Sequence, residues 1–264
     1  MAEPILKVKK HVPSGTIILN RPECRNALSR ELIDELMQAF DDFHQEKSIR
    51  AVILTGSGSA FCAGMDLKEM QETRQLGEQE SQQQWHEDAV QYRDLIDKMW
   101  RFPKPIIAAV NGPAVAGGAG LVLASDLVIA TSEAKFGLPE PKRGIVAGLV
   151  APLLFFRVGG SASAKLLLSA DVVDASEAMR LGIFHELVES DDQIWARAHE
   201  LASHCAQSAP QALQLTKRML NETIGEHYET LLTAGAAVSA TARTTQAAEE
   251  GLAAFFEKRP SDWQ

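Results

Sequence analysis

The sequence predicts an α/β fold, followed by a region built only of helices. Short runs rich in β-branched residues alternate with helical patterns in the first part of the chain. Residues 16–19, 51–54, 106–110 and 127–129 are the clearest strand candidates. After about Asp191 the Ala- and Leu-rich segments carry no clear strand signal. We therefore expect an α/β core over residues 1–190 and a helical region over residues 191–264.

The first long helix is predicted from its cap and from its apolar spacing. Ser29 is a favourable N-cap residue. The apolar residues that follow it recur at intervals of three and four: Leu32, Ile33, Leu36, Met37, Phe40 and Phe43. This spacing places one apolar face against a core, which indicates a structural role.

An insert is predicted between Lys68 and Pro103. Its first half, residues 71–88, is rich in Gln and Glu and poor in apolar residues. Such a composition is typical of a solvent-facing segment. The segment is either mobile or a plain surface helix, and the sequence leaves both readings open.

Composition excludes several classes of function. The 264 residues are 45% hydrophobic and 23% charged, enough for a sizeable core, and the formal net charge of -9 disfavours nucleic-acid binding. Cys24, Cys62 and Cys205 lack the spacing of metal ligands, so we interpret them as packed residues of a reducing compartment. The N-terminus resembles neither a signal nor a transit peptide, and no apolar run reaches the roughly 18 residues that span a bilayer. These observations favour a cytosolic protein.

Two segments have the same order of elements, in which a buried strand leads through a turn of small residues into a helix. The first comprises residues 51–69, and the second runs from residue 105 towards Ser125. Small residues let a ligand approach the main chain, and free amides at a helix start attract negative charge. Two such loops facing each other would form an oxyanion hole. The alternative is that their glycines only permit tight packing of a helix on a strand.

Several known nucleotide-binding, nucleophile and metal-binding motifs are excluded because a required residue is missing. A P-loop would need Lys and Ser or Thr where Gly118 and Ala119 stand, and a dinucleotide fingerprint lacks its last glycine at Leu123. A nucleophile elbow beginning at Gly159 has Ser163 in place of its last glycine. There is no His-Glu-x-x-His helix, and the seven scattered histidines are given no role.

Glu140 is the candidate for proton transfer. It follows Phe136-Gly-Leu-Pro139 and precedes Ile145 and Val146, so its surroundings are rigid and apolar. Burial there would raise its pKa and make the carboxyl group a usable proton carrier. The alternative is a structural or surface acid.

Taken together, these segments resemble the enoyl-CoA hydratase/isomerase (crotonase) family from Thr16 to about Pro260. The resemblance is carried by motifs in the family's order: residues 20–22 with 26–28, 60–70, 111–118, 126–130 with 134–137, and 255–260. It implies a spiral of repeated ββα turns, followed by helices that build trimers, often paired into hexamers. It also implies an enzyme of fatty-acid metabolism that acts on an acyl-CoA thioester.

The resemblance implies roles for individual residues. The backbone amides of Met65 and Gly117 would bind the thioester oxygen as it becomes an enolate, and Glu140 would move the proton. Ala63, Gly64, Asp66, Leu67 and Gly120 would contact the substrate, and Lys258 would meet the coenzyme A phosphates from this or an adjacent subunit. No metal and no separate cofactor are expected, since coenzyme A is part of the substrate.

One departure from the family's pattern is important. Hydratases that resemble this chain carry two catalytic glutamates, whereas Gly120 stands where the first is expected. Our preferred hypothesis is a hydratase with Glu140 alone, in which the space at Gly120 admits an acyl branch or a second carboxylate, as in hydratases of glutaconyl-type thioesters. A Δ3,Δ2-enoyl-CoA isomerase and a non-catalytic acyl-CoA-binding protein are the alternatives.

Overall fold

A computed structural model describes residues 3–224 and 228–262 of the chain. His227 and the last two residues of the predicted helical region lie outside the described residues. The strands are β1 (Leu6–His11), β2 (Ser14–Leu19), β3 (Ala51–Gly56), β4 (Ile106–Val110), β5 (Ala114–Val115), β6 (Leu127–Thr131), β7 (Lys135–Gly137), β8 (Val172–Asp174) and β9 (Glu186–Val188). The α-helices are α1 (Arg30–Gln45), α2 (Leu67–Arg74), α3 (Glu78–Arg101), α4 (Gly117–Ala124), α5 (Ala151–Ser169), α6 (Ala175–Arg180), α7 (Asp191–Ala206), α8 (Pro210–Arg218), α9 (Tyr228–Ala242) and α10 (Gln246–Glu257).

The main sheet has six strands in the order β1-β2-β3-β4-β6-β9. β1 and β2 form an antiparallel hairpin, and the other pairs are parallel. All four predicted strands are confirmed and lie at the centre of this sheet. Along β3, Val52 and Leu54 face one buried cluster while Ala51 and Ile53 face another. Parallel strands covered on both faces in this way are continuously apolar, which is why the sequence identified them.

A second, three-stranded sheet has the order β5-β7-β8. The chain passes from the first sheet to the second twice in succession, from β4 to β5 and from β6 to β7. Single β-bridges join Cys62 to Ala114 and Leu28 to Met65, so the loop after β3 extends this second layer. The layer therefore brings the loop after β3 beside the start of α4. The predicted spiral of strand pairs and helices is confirmed.

Helix α1 begins where its cap predicts. The Leu32 amide donates to Ser29 Oγ at 3.2 Å, which satisfies one of the free amides of the first turn. Five of the six predicted apolar residues are buried, and Met37 is partly buried against the same core. The interpretation of this stripe as core packing is confirmed.

The insert consists of two helices, α2 and α3, rather than an irregular segment. The first turns of α3 are largely exposed, whereas its second half buries Tyr92, Leu95, Ile96, Met99 and Trp100. Helix α3 packs against α1 on one side and α9 on the other. Half of the insert is therefore the surface helix that the sequence allowed, and half belongs to the core.

The described part of the helical region contains no strand and packs on the sheet-bearing part of the chain. On α7, Ile194, Ala198 and Ala202 cover the outer face of the main sheet. Lys217 of α8 donates to Asp126 Oδ2 at 2.7 Å, and α10 packs on the turn that contains Glu140. The sequence pattern therefore changes near residue 190, but the regions before and after that position pack together.

Helix α5 bears on the expectation that no apolar run spans a bilayer. It is long and apolar enough by composition to cross a membrane, with a hydropathy of 1.2. However, Gly159 interrupts it with φ 74° and ψ 173°, and Arg157 Nε donates to the Leu123 carbonyl at 3.0 Å. Leu153, Leu154 and Leu166 are fully buried. In this structure α5 packs on α4 as two short segments.

Candidate active site

A cleft of about 560 Å³ lies between the two small-residue loops, the turn that carries Glu140 and helix α9. Ala63, Met65 and Leu67 line it from the first loop, and Ala116 and Gly117 line it from the second. Its lining is mostly apolar with a few charged and polar side chains, which is typical of small-molecule sites. The structure therefore brings the two loops together, as the sequence analysis proposed.

The two loops are held against each other by backbone hydrogen bonds. The Val115 amide donates to the Cys62 carbonyl at 3.0 Å, and the Cys62 amide donates to the Pro113 carbonyl at 3.2 Å. Gly64 has φ 91°, in the left-handed region that favours glycine. A Cβ atom added to Gly64 would lie 3.0 Å from the Gly117 nitrogen. The loops therefore approach as closely as their small residues permit.

The amides of Met65 and Gly117 are available to a ligand. Neither donates a hydrogen bond within the described part of the chain. A Cβ atom added to Gly117 would lie only 3.5 Å from the Met65 nitrogen, so the two amides border one small space. Ala116 has φ 52° and ψ -124°, a strained conformation for alanine, just before the first residue of α4. Two free donors beside a cleft form a potential oxyanion hole.

Glu140 lies in the same cleft and is only 6% exposed. Its Oε2 atom has no hydrogen-bond partner among the residues that the structure describes. Burial raises the pKa of this carboxyl group to about 7, and the charge of nearby Arg143 opposes the rise. The prediction of a buried carboxyl group with a raised pKa is confirmed. A group that titrates near neutrality can both accept and donate a proton.

The raised pKa of Glu140 predicts a pH-dependent cost to folding. Its folded pKa of about 7 exceeds the ordinary value of 4.5. The protonated form therefore stabilises the fold below pH 4.5, and this contribution is lost as the pH rises through 7, by about 3 kcal/mol. We expect Glu140→Gln to be more stable than the wild type at pH 8, with most of that gain absent at pH 5. Urea unfolding at the two pH values measures the difference, and Glu133→Gln, at an exposed carboxylate, is the control. An equal difference at both pH values would contradict the burial argument.

Tyr92 occupies the space beside Gly120. It is 3% exposed, and its hydroxyl donates to the Gly117 carbonyl at 2.6 Å. A Cβ atom added to Gly120 would lie 2.0 Å from the Tyr92 hydroxyl oxygen and 3.1 Å from a methyl group of Val150. The expectation that Gly120 leaves room for an acyl branch or a second carboxylate is therefore wrong. Gly120 does not line the cleft, whereas Tyr92 does.

The close contact between Gly120 and Tyr92 predicts a coupled pair of substitutions. Gly120→Ala is expected to destabilise the protein by about 1–3 kcal/mol, because the added methyl group collides with a packed ring. Tyr92→Phe in that background removes the colliding oxygen and should recover part of the loss. A double-mutant cycle by urea unfolding measures the coupling. Gly77→Ala, where the added atom meets open space apart from Glu80, is the control. Strictly additive losses would show that the two residues do not share this space.

Besides Gly120, three predicted substrate-binding residues lie outside the lining of the cleft. Gly64 is behind it, with its carbonyl bonded to Leu28. Asp66 caps α2 through the Lys68 amide at 3.0 Å and pairs with Arg21 at 2.9 Å, so both of its carboxylate oxygens are engaged. Lys258 is exposed and ends α10. Their roles in substrate binding stay predictions.

Two arginines that were not predicted as site residues line the cleft. Arg143 lies one turn beyond Glu140, with its guanidinium carbon 4.9 Å from the ring centroid of Phe255. Arg243 follows α9 and is only 6% exposed. No local pattern marks it, since it stands alone in an Ala- and Thr-rich segment. The cleft therefore carries positive charge that the two small-residue loops do not supply.

Metal and thiol chemistry find no support in the described residues. No group of three or more His, Cys, Asp or Glu side chains there is arranged to hold a metal ion. Cys62 is buried, and burial raises the pKa of its thiol to about 12, which suppresses the reactive thiolate. The interpretation of Cys62 as a packed residue is confirmed.

Comparison with known proteins gives one consistent result. A sequence profile described as "Enoyl-CoA hydratase/isomerase" matches residues 14–264. A Thermus thermophilus protein provisionally named an enoyl-CoA hydratase is 42% identical, with 96% of this chain and 97% of that protein covered. The 2,3-dehydroadipyl-CoA hydratase of Escherichia coli is 34% identical, with 94% of each covered. The crystal structure of an enoyl-CoA hydratase/isomerase from Xanthobacter autotrophicus superposes with a TM-score of 0.86 at 33% identity, over 97% of this chain and 93% of the other.

Proposed function

The chain belongs to the enoyl-CoA hydratase/isomerase family, and from this premise we propose that it is an enoyl-CoA hydratase. Such an enzyme is a lyase that adds water across the 2,3 double bond of an acyl-CoA thioester. One observation carries the proposal: the buried carboxyl group of Glu140 shares a cleft with the free amides of Met65 and Gly117. A proton carrier and an oxyanion hole are the two parts that enolate chemistry requires.

The geometry supports a simple mechanism. The thioester oxygen accepts hydrogen bonds from the Met65 and Gly117 amides, which strengthen as negative charge moves onto it. Removing one such donor typically costs about 3 kcal/mol of transition-state stabilisation. The Glu140 carboxylate takes a proton from water as the water oxygen bonds to the β-carbon. Glu140 then delivers that proton to the α-carbon, so the thioester gains one water and the enzyme is unchanged.

A single carboxyl group can perform both steps because of its pKa. At a value of about 7, the ionised and protonated forms of Glu140 are both well populated near neutrality. Tyr92 fills the space beside Gly120, so there is no room there for a second acid. Because the oxyanion hole holds the enolate, Glu140 can first accept a proton during the addition of water and then donate it to the α-carbon.

The single acid also supports a second candidate, a Δ3,Δ2-enoyl-CoA isomerase. In that reaction Glu140 would carry a proton from the α-carbon to the γ-carbon, and no other acid is required. A non-catalytic acyl-CoA-binding protein is disfavoured, because an unpartnered buried carboxyl group costs stability unless it has a use.

Mass spectrometry separates these candidates. The purified protein is incubated with panels of 2-enoyl-CoA and 3-enoyl-CoA thioesters in heavy-oxygen water. We expect the 2-enoyl substrates to gain one labelled water. Conversion of 3-enoyl substrates into 2-enoyl isomers of the same mass, resolved by liquid chromatography before detection, would replace the hydratase by the isomerase. Binding without any conversion would leave only the acyl-CoA-binding role.

The acyl group and the assembly belong to the same proposal. We propose that the substrates include branched or glutaconyl-type thioesters, a view that no longer rests on space at Gly120. It is supported by the cationic side chains in the cleft and by a 34% identical relative named for a dicarboxylic thioester.

A homotrimer or homohexamer is supported by exposed apolar residues of the helices, among them Phe155, Leu168, Leu231 and Val238.

A further inference from the structure

Arg243 is a buried cation that forms no ion pair within the described part of the chain. It is 6% exposed, and its Nη1 atom has no hydrogen-bond partner among the described residues. Asp88 is the carboxylate whose charge acts on it, but both oxygens of Asp88 already bind Arg30, at 2.6 and 2.9 Å. Leaving a guanidinium buried and unpaired is expensive. Among the described residues, no free carboxylate is therefore placed to pair with Arg243.

The unpaired group faces the cleft that holds Glu140. Ser239 lies in the last turn of α9 and Arg243 immediately follows that helix, and both line the cleft. Arg143 lines it from the turn of Glu140, and its guanidinium forms no ion pair with any described residue. The cleft thus holds an acid, two free amides, the hydroxyl groups of Tyr92 and Ser239, and two arginines that form no ion pair with the described residues.

Depth within the cleft restricts what the anion can be. The phosphates of coenzyme A are large and strongly hydrated, and a side chain that is 6% exposed is poorly placed to meet them. When the thioester oxygen lies at Met65 and Gly117, the acyl chain is the part of the substrate that enters the enclosed space. A planar carboxylate on that chain can accept two parallel hydrogen bonds from a guanidinium group.

We propose that Arg243, assisted by Ser239, binds a carboxylate on the acyl chain, so that the preferred substrates are 2-enoyl-CoA thioesters of dicarboxylic acids. The inference rests on the proposed function, because it requires the acyl chain to enter this cleft. It adds to that function a specificity-determining residue that lies outside the two small-residue loops. Arg143 supplies further positive charge to the same cleft.

Binding tests the proposal without turnover. Glutaryl-CoA and butyryl-CoA are saturated and carry the same phosphates, so calorimetric titration of both isolates the effect of the acyl carboxylate. We expect the wild type to bind glutaryl-CoA at least tenfold more tightly, and Arg243→Gln to abolish the difference. Arg74→Gln is the matched control, because Arg74 also has an unpartnered buried Nη1 atom but does not line the cleft. Equal affinities in the wild type, or a difference that survives Arg243→Gln, would overturn the proposal.

Kinetics test the same residue in the reaction. The quantity is the ratio of kcat/KM for glutaconyl-CoA to kcat/KM for crotonyl-CoA. Because a site built for a polar group rejects analogues that lack it, we expect Arg243→Gln to lower this ratio about 100-fold, and Arg243→Lys to restore it in part. An unchanged ratio would refute the role of Arg243. If crotonyl-CoA and glutaconyl-CoA are both inert, the hydratase assignment fails, and the titration still decides whether Arg243 binds the carboxylate.

Discussion

Glu140→Gln is expected to lower kcat for hydration about 10³- to 10⁴-fold, close to the whole contribution of a positioned acid-base group. Gln has the same shape as Glu but cannot take a proton from water or deliver one to the α-carbon. Because Glu140 Oε2 makes no hydrogen bond in the described structure, the substitution breaks no internal contact of that atom. Affinity for a saturated thioester should stay within about threefold of the wild type. Stopped-flow absorbance of the enoyl thioester gives kcat, and calorimetry gives the affinity.

Glu133→Gln is the matched control for this experiment, since Glu133 is an exposed acid seven residues earlier in the chain. It should leave both quantities unchanged. Wild-type turnover in Glu140→Gln would show that another group carries the proton. A loss of binding equal to the loss of turnover would instead place Glu140 in substrate binding.

Gly117→Val is expected to lower kcat/KM about 10²- to 10³-fold, the usual effect of losing one oxyanion donor. The first added carbon is tolerated, because its nearest neighbours, in Leu28 and Met65, lie 3.5 Å away. The two branches of valine would then fill the space between the Met65 and Gly117 amides and exclude the thioester oxygen. Turnover and thioester affinity should fall together.

A graded series separates this steric effect from misfolding. Gly117→Ala should show a smaller loss than Gly117→Val, and both variants should keep the melting temperature of the wild type within a few degrees. Normal binding and turnover in Gly117→Val would mean that the oxyanion hole lies elsewhere. A collapse of the melting temperature would show that the loop is needed for folding, and the alanine variant would then carry the test.

Much of the fold was predictable because its signals are local. The central strands were recognised from continuous β-branched runs, which parallel strands covered on both faces require. Helix α1 was recognised from Ser29 and the apolar face after it. The two loops were recognised from small residues between a strand and a helix, and the burial of Glu140 from the apolar residues beside it. Each of these features is contained within a few consecutive residues.

Only the tertiary structure decided what surrounds these residues. Tyr92 lies 25 residues before Gly117 in the sequence yet donates to its carbonyl, so no pattern near Gly120 could show that the space there is filled. Asp66 was expected at the substrate but is held by Arg21. Arg243 comes from the distant helical region and enters the cleft only because α9 packs across α3 and α5.

The sequence by itself determined the features that depend on their own backbone or immediate neighbours: the strands, the two small-residue loops and the burial of Glu140. The tertiary structure decided the shape and charge of the cleft, through Tyr92 and Arg243. The physical reason is that hydrogen-bonding periodicity and caps depend on adjacent residues. Steric exclusion and electrostatic pairing depend instead on whichever side chains the folded chain brings within a few ångströms.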